Sequence, residues 1–118
     1  MIKEACCEGF TEGINAEALG ANRIELCSNL AVGGLSPSFN EVKEALKFLN
    51  IPVFVMVRPR EWNFIYTKKE KELMIQEIRN LKNIKVEGIV IGSLNNKGEI
   101  DTEFMKEVVK IAKPMNIT

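Results

Sequence analysis

The sequence predicts an α/β fold built on a parallel β-sheet, and three observations support this prediction. Short apolar segments alternate with longer amphipathic segments along all 118 residues, without a linker or a low-complexity stretch. Two short segments, residues 51–57 and 86–92, are almost continuously apolar, as strands covered by helices on both faces are. The chain is 46% hydrophobic and 27% charged, which is typical of a globular domain. Such alternation occurs in open doubly wound sheets and in closed barrels, and periodicity alone does not distinguish them.

Each predicted strand is a short apolar segment that ends before a loop or a helix start. Strands are predicted at residues 2–7, 23–27, 51–57 and 86–92, and a fifth begins at residues 116–118. A complete TIM-type barrel needs about 250 residues, so these segments would form about half of one.

The helices are predicted from their capping residues and from apolar spacing. Thr11 is expected to cap the first helix, which ends near Leu19, and Ser36-Pro37-Ser38 opens the second. Thr67 is expected to cap the third helix, and the fourth runs from Asp101 to Ile111. The residues predicted to form the buried face of the third helix are Leu73, Ile75, Ile78 and Leu81.

Composition limits the chemistry and the partners of the chain. Lys plus Arg equals Asp plus Glu at 16 each, so we expect neither nucleic acid nor a membrane as a partner. No apolar run approaches the ~18 residues of a membrane span, and Glu4 interrupts the stretch that a signal peptide needs, so we expect a cytoplasmic location. The chain contains no histidine, which excludes Ser-His-Asp and Cys-His catalysis by its own residues.

Carboxylates and thiols occur where the first two predicted strands end. Glu4 and Cys6 share one side of the first strand by the period-two rule, as Glu25 and Cys27 do on the second. If these strands are neighbours in register, the four side chains form one cluster at the carboxyl ends of the strands, where parallel β/α proteins bind ligands. Cys7 should face the helices and belong to the core.

Two interpretations of this cluster remain open. Glu4 and Glu25 repel each other without a cation, which Arg58, Arg23 or Arg60 could supply. The group is then either a catalytic or ligand-binding site or a buried structural ion network.

The cysteines and the glycine loop also have two interpretations each. Cys6 and Cys27 would suit Cu(I), which favours sulfur ligands, or they are small buried hydrophobes. Gly33-Gly34 before Ser36 could bind an anion through backbone N–H groups, or it is ordinary loop geometry.

Taken together, several motifs resemble those of the CutC copper-homeostasis family. They are Glu4-Ala5-Cys6, Arg23-Ile24-Glu25-Leu26-Cys27, Gly33-Gly34-Leu35-Ser36-Pro37-Ser38, Val55-Met56-Val57-Arg58-Pro59-Arg60, Phe64-Ile65-Tyr66 and Gly88-Ile89-Val90-Ile91-Gly92. The resemblance implies a cytoplasmic TIM-type barrel linked to copper tolerance and described as binding Cu(I). The family's conserved cysteines match Cys6 and Cys27, and its polar residues at the barrel mouth match Glu4, Glu25, Arg58 and Arg60. The resemblance also allows an enzyme without an assigned substrate, acting on a small-molecule anion.

The resemblance implies that residues 1–118 form a single domain, the N-terminal portion of a parallel β/α TIM-type barrel. This portion comprises four β/α units and the start of strand five. Members of the family continue from the fifth strand into a Phe-His-Arg motif, whereas this sequence stops at Thr118. We therefore expect a truncated barrel that lacks the second-half pocket residues. Because exposed strand edges favour association, we also expect a homo-oligomer.

Overall fold

The structure is a computed structural model that describes residues 1–118, and its centre is one sheet of five parallel strands. The strands lie side by side in chain order: β1 (Glu4–Glu8), β2 (Arg23–Cys27), β3 (Val53–Val57), β4 (Gly88–Ile91) and β5 (Asn116–Ile117). The helices that connect them are α1 (Gly9–Ala18), α2 (Phe39–Phe48), α3 (Lys68–Asn83) and α4 (Thr102–Ala112). The predicted four β/α units and the start of a fifth strand are confirmed.

The hydrophobic core lies between the helices and one face of the sheet. Ile24, Leu26, Val55 and Ile89 point to this side and are completely buried. Cys7 also belongs to this core, as the period-two rule predicted. The burial of this face leaves the opposite face of the sheet to carry the polar side chains of β1 and β2.

The predicted helix starts are correct where a side chain caps the helix. The Thr67 hydroxyl accepts a hydrogen bond from the N–H of Glu70, whose carboxylate accepts one from the N–H of Thr67. The Asp101 carboxylate caps α4 by accepting a hydrogen bond from the N–H of Phe104. In α2 the cap is Ser38, and the helix begins one residue later at Phe39.

The predicted cap at Thr11 is wrong. β1 passes directly into α1 through Gly9, whose φ of +81° is open to glycine but strained for other residues. The first N–H groups find acceptors from elsewhere, because Glu12 accepts from the N–H of Glu8 and Glu41 accepts from the N–H of Phe10. A capping hydroxyl at Thr11 is therefore not needed.

The predicted buried face of α3 is wrong at one residue. Leu73 is 59% exposed, whereas its neighbour Met74 is completely buried with Ile78 and Leu81. The helical spacing allows either Leu73 or Met74 on the buried face. The angle at which α3 crosses the sheet determines which of the two is buried. No helix in the fold has the length and apolar character needed to span a bilayer.

Candidate functional site

Strands β1 and β2 bring four chemically active side chains onto one face of the sheet. In the parallel register, Glu4 is opposite Arg23 and Cys6 is opposite Glu25. Cys27 comes directly after Leu26, at the end of β2. Because side chains alternate between faces, Glu4, Cys6, Glu25 and Cys27 all lie on the face away from the core. The shared face is as the sequence predicted, but Glu4 is the first residue of β1, so its predicted position at the carboxyl end of that strand is wrong.

Cys6 and Cys27 form a close thiol pair across the two strands. Their sulfur atoms are 3.8 Å apart. Cys27 is completely buried and its thiol also donates to the carbonyl oxygen of Cys7 at 3.4 Å, whereas Cys6 is exposed. The pair therefore has one sulfur that is held by the protein interior and one that solvent reaches.

Burial keeps both thiols of this pair protonated. It raises the pKa of Cys27 to about 12, and the neighbouring Cys6 sulfur adds to this effect. Burial also raises the pKa of Cys6, and the negative charges of Glu25 and Glu4 raise it further. Nucleophilic reactivity requires a thiolate, so neither thiol is activated without an added cation.

Glu4 and Glu25 form a carboxyl pair beside the thiols, and Arg23 supplies its cation. Burial raises the pKa of Glu25, and the hydrogen bond and charge of Glu4 raise it further, while Arg23 lowers it. The Arg23 side chain donates to the Glu4 carboxylate and lies over the Phe54 ring, 4.5 Å from its centroid. Of the three arginines considered from the sequence, Arg23 is the one that contacts this pair.

The donors at the thiol pair suit a soft metal ion of low coordination number. No group of three or more His, Cys, Asp or Glu side chains could hold a metal ion together, so the thiol pair offers two ligands of these residue types. Two metal–sulfur bonds of about 2.3 Å would separate the sulfurs by about 4.0 Å at a trigonal angle, close to the 3.8 Å between Cys6 and Cys27. The Met56 thioether lies near Cys27, since both approach Gly34 within 3.5 Å of the point where a Cβ would be. Sequence reasoning missed Met56, although it shares the face of Phe54 by alternation.

Arg58 does not join the carboxyl pair, contrary to the expected cluster of Glu4, Glu25 and Arg58. Its guanidinium donates instead to the carbonyl oxygens of Val32 and Gly34, each at 3.0 Å, and to that of Trp62 at 3.2 Å. Phe64 covers it, with the ring centroid 4.8 Å from the guanidinium carbon. The side chain turns away from the carboxyl pair because loop carbonyls surround the end of β3.

Ser36 positions Arg58, and the glycine loop offers no free backbone site for an anion. The Ser36 hydroxyl accepts the N–H of Arg58 at 2.9 Å, and the Ser36 N–H donates to the Arg58 carbonyl at 3.0 Å. The N–H groups of Gly33 and Gly34 donate to the carbonyls of Leu30 and Asn29. Of the two interpretations of this loop, the hydrogen bonds therefore favour ordinary loop geometry over an anion site.

Arg60, the other arginine at the end of β3, is fully partnered. It donates to the Glu70 carboxylate at 2.6 Å and to the carbonyl oxygens of Glu61, Asn63 and Ile65. The hydrogen bond from the Thr67 N–H and, after it, the contacts with Arg60 lower the pKa of Glu70. These contacts fasten the β3–α3 loop to the start of α3 and leave Arg60 no spare donor for a ligand.

The larger surface grooves do not coincide with this chemistry. A groove of about 530 Å³ lies between α3 and α4, and it is lined by ion-paired and exposed charges such as Lys71, Asp101 and Arg79. Another of about 570 Å³ includes Val86 and Asn116, at the amino-terminal ends of β4 and β5. Parallel β/α proteins bind ligands at the opposite ends of their strands, so the side-chain chemistry locates the candidate site better than groove volume does.

The fold and this location define the class as a partial TIM-type β/α barrel with its polar groups at the strand ends. The CutC family profile matches residues 1–118. The chain therefore belongs to the CutC family.

Relatives and a solved structure agree with this assignment. The chain is 41% identical over 115 residues to a CutC family protein of Mesorhizobium japonicum, covering 98% of the chain and 45% of the relative. It is 39% identical over 118 residues to the human copper homeostasis protein cutC homolog, covering 100% of the chain and 43% of that protein. A solved CutC structure from Streptococcus agalactiae superimposes with a TM-score of 0.92 at 33% identity, covering 99% of the chain and 57% of that structure. The chain thus spans about half the length of the relatives that it matches.

Proposed function

We propose that the chain binds Cu(I) through the thiol pair of Cys6 and Cys27 and acts in copper homeostasis. The observation that carries this proposal is the separation of 3.8 Å between the two sulfur atoms. Soft sulfur ligands select Cu(I) over harder cations. Membership of a family whose human member is named for copper homeostasis supports the same function.

The negative charges around the thiol pair favour a bound cation. Glu4 and Glu25 raise the pKa of Cys6 because their negative charges oppose a second negative charge on sulfur. A cation beside the sulfur reverses that effect, since the carboxylates attract it and it compensates the thiolates. Metal binding therefore supplies the charge that deprotonation needs.

Competition with a Cu(I) chelator tests this proposal. The full chain and a Cys6→Ser/Cys27→Ser variant would be titrated under reducing conditions, with Cys7→Ser as the matched control because Cys7 faces the core. We expect the double variant to lose at least about 100-fold in affinity, since two metal–sulfur bonds are lost, and Cys7→Ser to bind Cu(I) as the unmodified chain does. Equal affinities for the unmodified chain and the double variant would refute the proposal.

A second candidate function is catalysis on a small-molecule anion, with Glu25 as a general acid. The observation that favours it is the carboxyl pair, in which the pKa of Glu25 is raised beside Glu4. A raised carboxyl pKa is typical of a group that donates protons near neutral pH. Screening phosphorylated and carboxylated metabolites for turnover, with Glu25→Gln as the variant, tests this candidate. Turnover that is unaffected by the substitution would exclude Glu25 from the role.

We also propose that the chain acts in the cytoplasm and self-associates. Free thiols at Cys6 and Cys27 suit a reducing compartment, and cell fractionation checks the location. β1 and β5 each pair with a neighbour on one side only, so each leaves an edge on which a second copy of the chain can pair. Light scattering during size-exclusion chromatography measures this association, and a monodisperse monomer would contradict it.

A further inference from the structure

Arg58 is a buried cation without an acidic partner. It is 9% exposed, and the three ion pairs of the chain join Arg23 to Glu4, Arg60 to Glu70 and Lys71 to Asp101. Removing a charge from water is costly unless it is paired. The three carbonyl oxygens that Arg58 contacts offset part of this cost but bring no negative charge.

The Arg58 guanidinium also has donors to spare. A guanidinium carries five N–H donors. Nη1 makes two hydrogen bonds and Nη2 one, while the buried Nε makes none. Nε and Nη2 form one edge of the planar group, and such an edge binds a carboxylate or a phosphate with two parallel hydrogen bonds.

Tyr66 places a second unused donor beside the guanidinium. Its hydroxyl is buried without a hydrogen-bond partner, and the side chain is 6% exposed. Burial raises the pKa of Tyr66, and the positive charges of Arg58 and Arg60 and a hydrogen-bonding interaction of the phenol oxygen with Arg58 oppose that rise. The hydroxyl therefore lies against the guanidinium, and its own proton has no acceptor in the chain. A buried hydroxyl is normally hydrogen-bonded, and the lack of an acceptor here indicates that one is supplied from outside the chain.

The segment after β4 adds a third unused group and attaches it to the same loop. The Ser93 hydroxyl is buried and has no partner. The N–H of the next residue, Leu94, donates to the Phe64 carbonyl at 2.8 Å. Phe64, whose ring covers Arg58, is itself 39% exposed, so this ring lies between the guanidinium and the solvent.

We propose that Arg58 and Tyr66 form a binding site for a small oxyanion, a phosphoryl or carboxylate group, covered by Phe64. The free edge of Arg58 binds two oxygen atoms of the anion, and the Tyr66 hydroxyl donates a third hydrogen bond. The site is independent of the thiol pair. It deepens the second candidate function by naming the residues that bind the anion, and it rests on that candidate only for the conversion of the bound anion.

Titration with inorganic phosphate tests the site, using calorimetry and thermal shift on the full chain at constant ionic strength. Sodium acetate is the second probe and separates a carboxylate site from a phosphoryl site. We expect saturable binding of at least one probe and at least about tenfold weaker binding by Tyr66→Phe, because one hydrogen bond to a charged group is lost. Arg58→Lys should bind still more weakly, because an ammonium lacks the planar edge.

Arg79→Lys is the matched control, since Arg79 is an exposed arginine within α3, away from the end of β3. We expect this variant to bind the anion within about twofold of the unmodified chain. Tyr66→Phe removes only a hydroxyl without a partner, so it should fold even if Arg58→Lys does not. No saturable binding of either probe would overturn the site, as would equal binding by the unmodified chain and Tyr66→Phe.

The Cys6→Ser/Cys27→Ser variant separates this proposal from the copper proposal. We expect it to bind the oxyanion normally, and we expect Tyr66→Phe to bind Cu(I) normally. Loss of oxyanion binding in the double serine variant would overturn the independence of the two sites.

Discussion

The outward face of β1 and β2 differs from the end of β3 in charge, in exposure and in how completely the polar groups are paired. At the first, two thiols and a carboxyl pair lie on an open face, and Cys6 reaches solvent. At the second, Arg58 is covered by an aromatic loop and retains donors without acceptors. The two proposals follow this contrast, a soft cation beside the acidic side chains of β1 and β2 and an oxyanion beside the arginine at the end of β3. Each prediction below tests one side of this contrast.

The largest expected effect is the pH dependence of Cu(I) binding. Both thiols have raised pKa values, that of Cys27 to about 12, so both are protonated at neutral pH and both must lose a proton to bind the metal. Release of two protons makes the affinity rise by about 100-fold for each pH unit. Chelator competition at several pH values between 6 and 8 measures this slope, after correction for the protonation of the chelator. A slope near zero would show that the thiols are not the ligands.

A smaller effect, on stability, is expected at Gly88, which packs against the Phe54 ring beneath Arg23. A Cβ at Gly88 would lie 2.8 Å from two ring atoms of Phe54, the ring over which Arg23 is stacked. We expect Gly88→Ala to lower the free energy of unfolding by about 1–3 kcal/mol through overpacking, as measured by urea denaturation. Gly92→Ala is the control, since nothing lies within 4 Å of that Cβ. Equal stability of both variants would mean that Phe54 is not fixed as described.

The smallest predicted effect concerns the loop that covers Arg58. Trp62 has a φ of 88°, which strains a residue with a Cβ, and its side chain is 83% exposed. We expect Trp62→Gly to raise the free energy of unfolding by about 0.5–1 kcal/mol, the relieved strain less the extra entropy of glycine in the unfolded chain. A loss of stability in the same urea experiment would show that the indole packs on the loop.

The sequence predicted the fold well because alternation, buried strands and helix caps are local signals. Thr67 and Asp101 cap their helices through residues three positions away, so reading a few neighbouring residues was enough. Thr11 failed as a cap because its helix is capped by Glu12 and by Glu41, which is distant in sequence. Leu73 and Met74 fit the same spacing, and only packing against the sheet separates them.

The candidate site could be predicted only in part, for a related reason. The period-two rule placed Glu4, Cys6, Glu25 and Cys27 on one face, and parallel pairing in register then brought them together. The direction of Arg58 depends on carbonyl groups of two loops, which no spacing in the sequence reveals. The unpartnered state of its Nε and of the Tyr66 hydroxyl is likewise a property of the folded chain alone.

The central claim is that Cys6 and Cys27 hold Cu(I) between them, and X-ray absorption at the copper edge tests it most directly. The full chain would be loaded with one equivalent of Cu(I) under reducing conditions and compared with the Cys6→Ser/Cys27→Ser variant. The account predicts two sulfur neighbours around copper, or three if Met56 takes part, and their loss in the double serine variant. A first shell of oxygen or nitrogen in the unmodified chain, or an unchanged sulfur shell in the variant, would contradict it.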